Sequence, residues 1–148
     1  MDDIITKEMI VLGLEAASKE EAIRGLAKVL EKQDRLTDYN DYVEHVFERE
    51  KVFPTAIGFN VAIPHGKCDS VKHSSVVFAK LKNEIKWSEE ENVKYVFLIA
   101  VPEKEAGDTH LRILAQLSRK IMREEFREKL IKFDNVNDIF QLLTEESD

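Results

Sequence analysis

Apolar residues recur along this chain with two different spacings, and the switches between them mark out its elements. Met9-Ile-Val-Leu-Gly-Leu14 is a short, apolar, β-branched run and predicts a first strand. Ser18-Lys-Glu-Glu21 has the S-x-x-E form of a capping box, in which serine and glutamate satisfy free N–H groups at a helix start. The helix it opens carries Ala22, Ile23, Leu26, Ala27, Val29 and Leu30 largely on one face. A second helix is predicted from about Asp38 to Glu50, with Tyr42, Val43, Val46 and Phe47 at helical spacing.

The pattern then breaks. From Val52 to Lys67 two prolines, a threonine and two glycines separate short apolar pieces. Val61-Ala-Ile63 suffices for a short strand, which Pro64 ends because it offers no N–H to a ladder. Ser74 to Lys80 and Val93 to Ala100 are the clearest strands. The second is apolar throughout after Lys94, as expected of a central strand covered on both faces. Gly107-Asp-Thr-His-Leu111 reads as a loop feeding a helix, with Asp108 as N-cap. Leu111, Leu114, Ala115, Leu117, Ser118 and Ile121 are expected to form that helix's packing face. Shorter helices are predicted near Glu124 to Lys132 and Val136 to Leu143. Interleaved helices and strands predict an α/β (α+β) class, a mixed β-sheet flanked by helices. With 148 residues, no repeat and no Gly/Ser/Pro-rich linker, a single domain over residues 1–148 is expected.

Charge narrows the possible partners. The 29 acidic residues exceed the 22 basic ones, for a formal net charge of −7. That balance argues against nucleic-acid binding, which needs clustered Lys and Arg on phosphates, and favours encounter with a basic patch on a protein. The single cysteine, Cys68, excludes an internal disulfide and suits a reducing compartment. No basic start leads into an N-terminal apolar run, and Tyr95–Pro102 is far too short to cross a bilayer. A cytoplasmic location without direct membrane insertion is the expectation.

Four histidines offer different chemistry. His45 lies inside the second helix and reads as an ordinary helix histidine, and His73 as a loop histidine before a strand. His65 follows Val-Ala-Ile-Pro and precedes Gly-Lys, where a strand ends and the backbone turns. Open α/β sheets place sites just beyond strand ends, and a neutral imidazole there can act as a nucleophile. The Pro-His-Gly triplet alone is short and unspecific, and by itself favours a plain turn histidine. His110 falls in the first turn of a predicted helix, where free N–H groups favour an anion. Arg49 ends the second helix with a planar fork suited to phosphate oxygens, although a helix C-terminal cation is its commoner role. His65, Cys68 and His73 put three metal-ligand types within nine residues, but the paired Cys or His spacings of structural zinc sites are missing. Walker, GxGxxG and G-x-S-x-G motifs are absent, so nucleotide binding and serine hydrolysis have no support.

Taken together, Arg49-Glu50, Pro54-Thr55-x-Ile57-Gly58 and Val61-Ala-Ile-Pro-His-Gly66 resemble the phosphorylation segment of phosphotransferase-system (PTS) enzyme IIA of the fructose/mannitol family. Gly107-Asp-Thr-His110-Leu-x-Ile-Leu-Ala-x-Leu-Ser118 resembles that family's second histidine segment, and Met122 to Leu130 is similar to its fructose branch. The match runs from about Ile4 to Leu143. The resemblance implies that His65 is phosphorylated by the phosphohistidine of the carrier HPr. It further implies that the group passes to a cysteine of a IIB component, which serves sugar entering through a membrane IIC component. His110 would help hold the phosphoryl group, Arg49 would offset its charge, and Thr55 would lie near the site. The family implies Nε2 as the phosphorylated atom. No cofactor and no metal is implied. Ala56 and Asn60 stand where glycine is frequent in the family, so both are expected to need an unusual backbone angle.

Two further readings stay open at this stage. One is a regulatory, nitrogen-type IIA-like phosphoprotein using the same histidine to control other proteins. The other is a metal-binding domain built on His65, Cys68 and His73.

Overall fold

The long apolar run predicted as a central strand is the spine of the structure. A computed structural model describes residues 4–104 and 109–145, with Thr109 and His110 described by backbone alone. Strand β6 (Asn92–Pro102) lies antiparallel to β5 (Ser75–Lys86), and β1 (Ile10–Leu14) pairs parallel to the far edge of β5. The other edge of β6 is shared. Strand β3 (Val61–Ala62) pairs with Tyr95 and Val96, and β4 (His65–Cys68) continues along the same edge from Ile99 to Pro102. Strand β2 (Ala56–Gly58) closes that side as an antiparallel partner of β3. The order is β1-β5-β6-β3-β2, with β4 also on β6, so the sheet is mixed as expected. Consecutive residues Tyr95 to Val101 are all buried, which only cover on both faces allows.

Helices α1 (Lys19–Lys32) and α2 (Tyr39–Val52) form where the pattern predicts them. Ser18 Oγ accepts the Glu21 N–H at 3.2 Å, and the Glu21 carboxylate reaches back to the Ala17 N–H at 3.3 Å. Asp38 caps α2 by accepting the Asp41 N–H at 3.1 Å. Such caps contribute about 1 kcal/mol each. Helix α1 buries Ala22, Ile23, Leu26, Ala27 and Leu30, while α2 buries Tyr42, Val43 and Val46 and packs against β4.

Helices α3 (Thr109–Ile121), α4 (Glu124–Lys132) and α5 (Val136–Thr144) follow β6. The expected packing face of α3 is partly corrected. Ile113, Leu117 and Ile121 are buried, whereas Leu111 and Ala115 are exposed. The i, i+4 spacing from Ile113 sets the contact line, one residue out of phase with Leu114. The predicted cap Asp108 lies outside the described residues.

Strands β2 and β3 are joined by a two-residue turn in which Phe59 and Asn60 both have positive φ, +58° and +64°. A type I′ hairpin requires this. Asn60 therefore has the unusual angle expected of it, but Ala56 does not, because it lies in β2. The bulky residue in the left-handed region is instead Phe59, at a cost on the order of 1 kcal/mol. Its ring lies against the Arg127 guanidinium, 4.0 Å from the centroid, which ties the turn to α4.

Candidate functional site

Pro64 interrupts the edge strand but keeps the ladder continuous, since its carbonyl accepts the Ile99 N–H at 3.0 Å. His65 then opens β4, half-buried and paired with Ile99. Its Nδ1 lies 3.0 Å from the Ile63 carbonyl oxygen. A carbonyl can only accept, so Nδ1 carries the hydrogen and the lone pair of the neutral ring resides on Nε2. The backbone thus selects which ring nitrogen keeps a lone pair.

Gly66 is needed for packing. A Cβ built there would meet Val46 Cγ2 at 3.0 Å and Tyr42 Cε1 at 3.1 Å. Side-chain-free backbone lets β4 lie close against α2, and Tyr42 reaches past it to donate to the Ile99 carbonyl at 2.8 Å. Burial pushes the Tyr42 hydroxyl well above its ordinary pKa, with a lesser contribution from Cys68.

The approach to His65 is fixed by a residue that sequence reasoning passed over as half of an Arg-Glu pair. Glu50 is only 6% exposed. Its carboxylate accepts the Lys19 ammonium at 3.3 Å, the Trp87 indole N–H at 3.1 Å, the Thr55 N–H at 3.3 Å and the Thr55 hydroxyl. Lys19 also lies over the Trp87 ring, 5.6 Å from its centroid. A buried carboxylate persists only when its lone pairs are satisfied, and here four donors converge on it from three parts of the chain. Thr55 carries the constraint forward, because its carbonyl accepts the Ile63 N–H at 3.1 Å. A chain of hydrogen bonds therefore runs from Glu50 through Thr55 and Ile63 to the imidazole. The signal that could have found Glu50 is weak: an acid in the last turn of a helix, where the dipole disfavours it.

The other expected site residues are distributed as follows. Thr55 is buried and engaged with Glu50, so its place is to support the strand that carries His65. Arg49 occupies the last turn of α2 and donates to the Phe53 carbonyl at 2.8 Å. That bond uses one of the five N–H groups of a guanidinium. The backbone of His110 lies in the first turn of α3, and its side chain is outside the described residues. Val52, Phe53, Ile57 and Phe59, from the end of α2 to the β2–β3 turn, are exposed apolar side chains.

The metal set of His65, Cys68 and His73 is not assembled. Successive residues of a strand point to opposite faces, so Gly66 and Cys68 face α2 while His65 and Lys67 face away. His73 sits in the loop before β5, where its carbonyl accepts the Ser75 hydroxyl at 2.7 Å. Cys68 instead comes close to Asp41 and His45 of α2. Its thiol is pushed up chiefly by burial, with the Asp41 and Asp69 carboxylates adding to this and hydrogen bonds from Ser70 opposing it.

Both the sequence and the fold have counterparts among known proteins. Residues 3–146 match the sequence model of the family described as phosphoenolpyruvate-dependent sugar phosphotransferase system, EIIA 2. The fructose-specific EIIA component of Haloferax volcanii is 34% identical over 140 residues, covering 93% of this chain and 90% of that protein. The fructose-specific EIIABC component of Bacillus subtilis (strain 168) is 33% identical over 145 residues, covering 97% of this chain. This chain spans 23% of the length of that protein and 17% of multiphosphoryl transfer protein 2 of Escherichia coli (strain K12), which is also 33% identical. Among solved structures, IIA-Ntr of Neisseria meningitidis superposes with a TM-score of 0.87 at 29% identity, over 96% of this chain and 97% of that one. The complex of IIAMTL with phosphorylated IIBMTL from Escherichia coli matches with a TM-score of 0.82 at 30% identity, over 97% of this chain and 100% of that one. The chain therefore belongs to the EIIA type 2 family of the phosphoenolpyruvate-dependent sugar phosphotransferase system.

Proposed function

We propose that this chain is the IIA phosphoryl-relay component of a sugar phosphotransferase system, cytoplasmic, with His65 as its phosphorylated residue. The observation that carries the reading is the 3.0 Å contact of His65 Nδ1 with the Ile63 carbonyl. It leaves the Nε2 lone pair as the nucleophile on the histidine of the Pro-His-Gly segment. In the transfer, Nε2 bonds to phosphorus as the phosphorus–nitrogen bond of phospho-HPr breaks, and the donor imidazole leaves with that electron pair. Transfer onward to a IIB cysteine reverses the roles. Little else is required beyond in-line approach and offset of charge on the moving oxygens. Arg49, His110 and the N-terminus of α3 are the groups assigned to that task. The exposed apolar side chains of Val52, Phe53, Ile57 and Phe59 supply a protein-docking fringe. Fructose is the favoured sugar, because the Bacillus subtilis and Haloferax volcanii relatives are fructose-specific components.

A regulatory role on the same phosphohistidine is the second reading, supported by the likeness to IIA-Ntr. Intact-mass analysis after incubation with phosphoenolpyruvate, enzyme I and HPr tests the first. Wild type gains one acid-labile phosphoryl group and His65→Ala gains none. Phosphorylation of the folded His65→Ala variant at another histidine would overturn the assignment. Transfer from the phosphorylated chain to a IIB domain separates transport from regulation.

A further inference from the structure

We propose that Asp41, His45 and Cys68 form a binding site for a zinc-class divalent cation, on the face of β4 turned away from His65. One ligand atom from each residue lies within 4.8 Å of the other two. The convergence comes from two elements. Asp41 and His45 are four apart on α2, which stacks them on one face of the helix. The pleat of β4 turns Cys68 towards that same helix, on the side where Gly66 allows close approach.

The donor set also selects the class of ion. A thiolate and an imidazole are ligands of zinc and its neighbours, whereas magnesium and calcium take oxygen cages. Zinc bonds of about 2.0 to 2.3 Å separate tetrahedral ligands by roughly 3.5 Å, so the set must close by about one ångström. Asp41 and His45 have side chains nearly half exposed, 45% and 48%, and are able to move inward. His45 Nδ1 lies 2.9 Å from the Asp41 carbonyl oxygen. The same Nδ1 lies 3.7 Å from Asp41 Oδ1, so a small turn of the ring off the carbonyl brings imidazole and carboxylate to one ion.

Charge argues the same way. Cys68 is 2% exposed, and its Sγ lies 2.9 Å from the Ser70 hydroxyl, a donor for a thiolate. Without an ion the sulfur carries its proton as an ordinary thiol. A dication replaces that proton: the sulfur–hydrogen bond breaks, the proton goes to solvent, and a sulfur–metal bond forms. The two negative charges of thiolate and carboxylate then balance the ion, and the imidazole stays neutral. The half-exposed Asp41 and His45 leave the outer side of the ion to water. The site would clamp α2 to β4 without touching the imidazole of His65, and it stands independently of the relay reading.

Cobalt(II) titration of the full chain tests this through the near-ultraviolet charge-transfer absorption of cobalt–thiolate bonds. The expected result is one equivalent bound with that absorption, and its displacement by zinc. Cys68→Ser should abolish the band, while His45→Ala and Asp41→Asn should each weaken binding at least about tenfold. His65→Ala and His73→Ala should leave it unchanged. The proposal is overturned if wild type shows no thiolate band. It is equally overturned if the band survives His45→Ala at unaltered affinity, or disappears with His65→Ala or His73→Ala.

Discussion

The imidazole of His65 is held by the carbonyl of Ile63, two residues back along its own chain, with Nδ1 and oxygen 3.0 Å apart. Because Pro64 stands between them with a restricted φ, ring and carbonyl are placed by the same rigid turn. The neutral side chain should therefore be the Nδ1–H tautomer. Nitrogen-15 NMR of the ring should report a protonated Nδ1 and an unprotonated Nε2 above the imidazole pKa. An Nε2–H tautomer would contradict the geometry directly.

Glu50 should matter well beyond its own contacts. Glu50→Gln removes the charge that balances Lys19 and leaves the indole N–H and both Thr55 donors competing for one carbonyl oxygen. Breaking a buried ion pair costs about 3 kcal/mol. A lower Tm is expected, together with slower phosphorylation of His65, since the strain passes through Thr55 and Ile63. Thermal unfolding and the initial rate from phospho-HPr would check both. An unchanged rate would mean that the hydrogen-bond chain supports the fold alone.

Gly66→Ala should destabilise by steric crowding, not by backbone strain. The added methyl would stand 3.0 Å from Val46 Cγ2 and 3.1 Å from Tyr42 Cε1. Overpacking of this kind costs about 1 to 3 kcal/mol. A companion Val46→Ala change should recover part of that loss, because it vacates the nearest atom. Denaturant midpoints of the single and double variants give the answer, and simple additivity would refute the contact.

Stability should decline on the alkaline side in two stages. The Cys68 thiol and the Tyr42 hydroxyl are both held above their ordinary values of 9.0 and 10.0, mainly by burial. Well below pH 9 each is protonated in folded and unfolded chains alike, and nothing is lost. As pH rises past those ordinary values, the unfolded chain releases protons that the folded one retains, so unfolding is favoured. Cys68→Ser should flatten the first stage. Tyr42→Phe should flatten the second, at a loss of about 1 kcal/mol at neutral pH from the missing bond to Ile99. Tm followed from neutral to strongly alkaline pH would show it, and a Cys68→Ser curve parallel to wild type would count against it.

Periodicity made the helices and long strands legible. The capping serine of α1, the start of α2 near Asp38 and the span of α4 all stand where the residue pattern puts them. Strand β4 was not legible, because His-Gly-Lys-Cys has no strand propensity and pairs only because β6 offers an open edge. The same holds for Phe59, whose left-handed backbone is imposed by a hairpin closed at Gly58 and Val61. At the site, the sequence points to His65 by its segment. Glu50 and the cluster at Cys68 depend on contacts between residues 5 to 37 positions apart, or on which face of a strand a side chain takes. No local pattern encodes those.

The shared edge of β6 also bears on timing. Strands β3 and β4 lie end to end on one central strand, so the residues on either side of Pro64 are located by a single rigid ruler. In the relay proposed above, the same atom must greet two different visitors in succession. A nucleophile on a loop would have to be ordered afresh at each visit, and each ordering would slow the encounter. Here the freedom of His65 is surrendered once, when the sheet forms. Loading and unloading then share one fixed geometry, and the direction of flow is left to the relative phosphoryl-donating power of the two visitors.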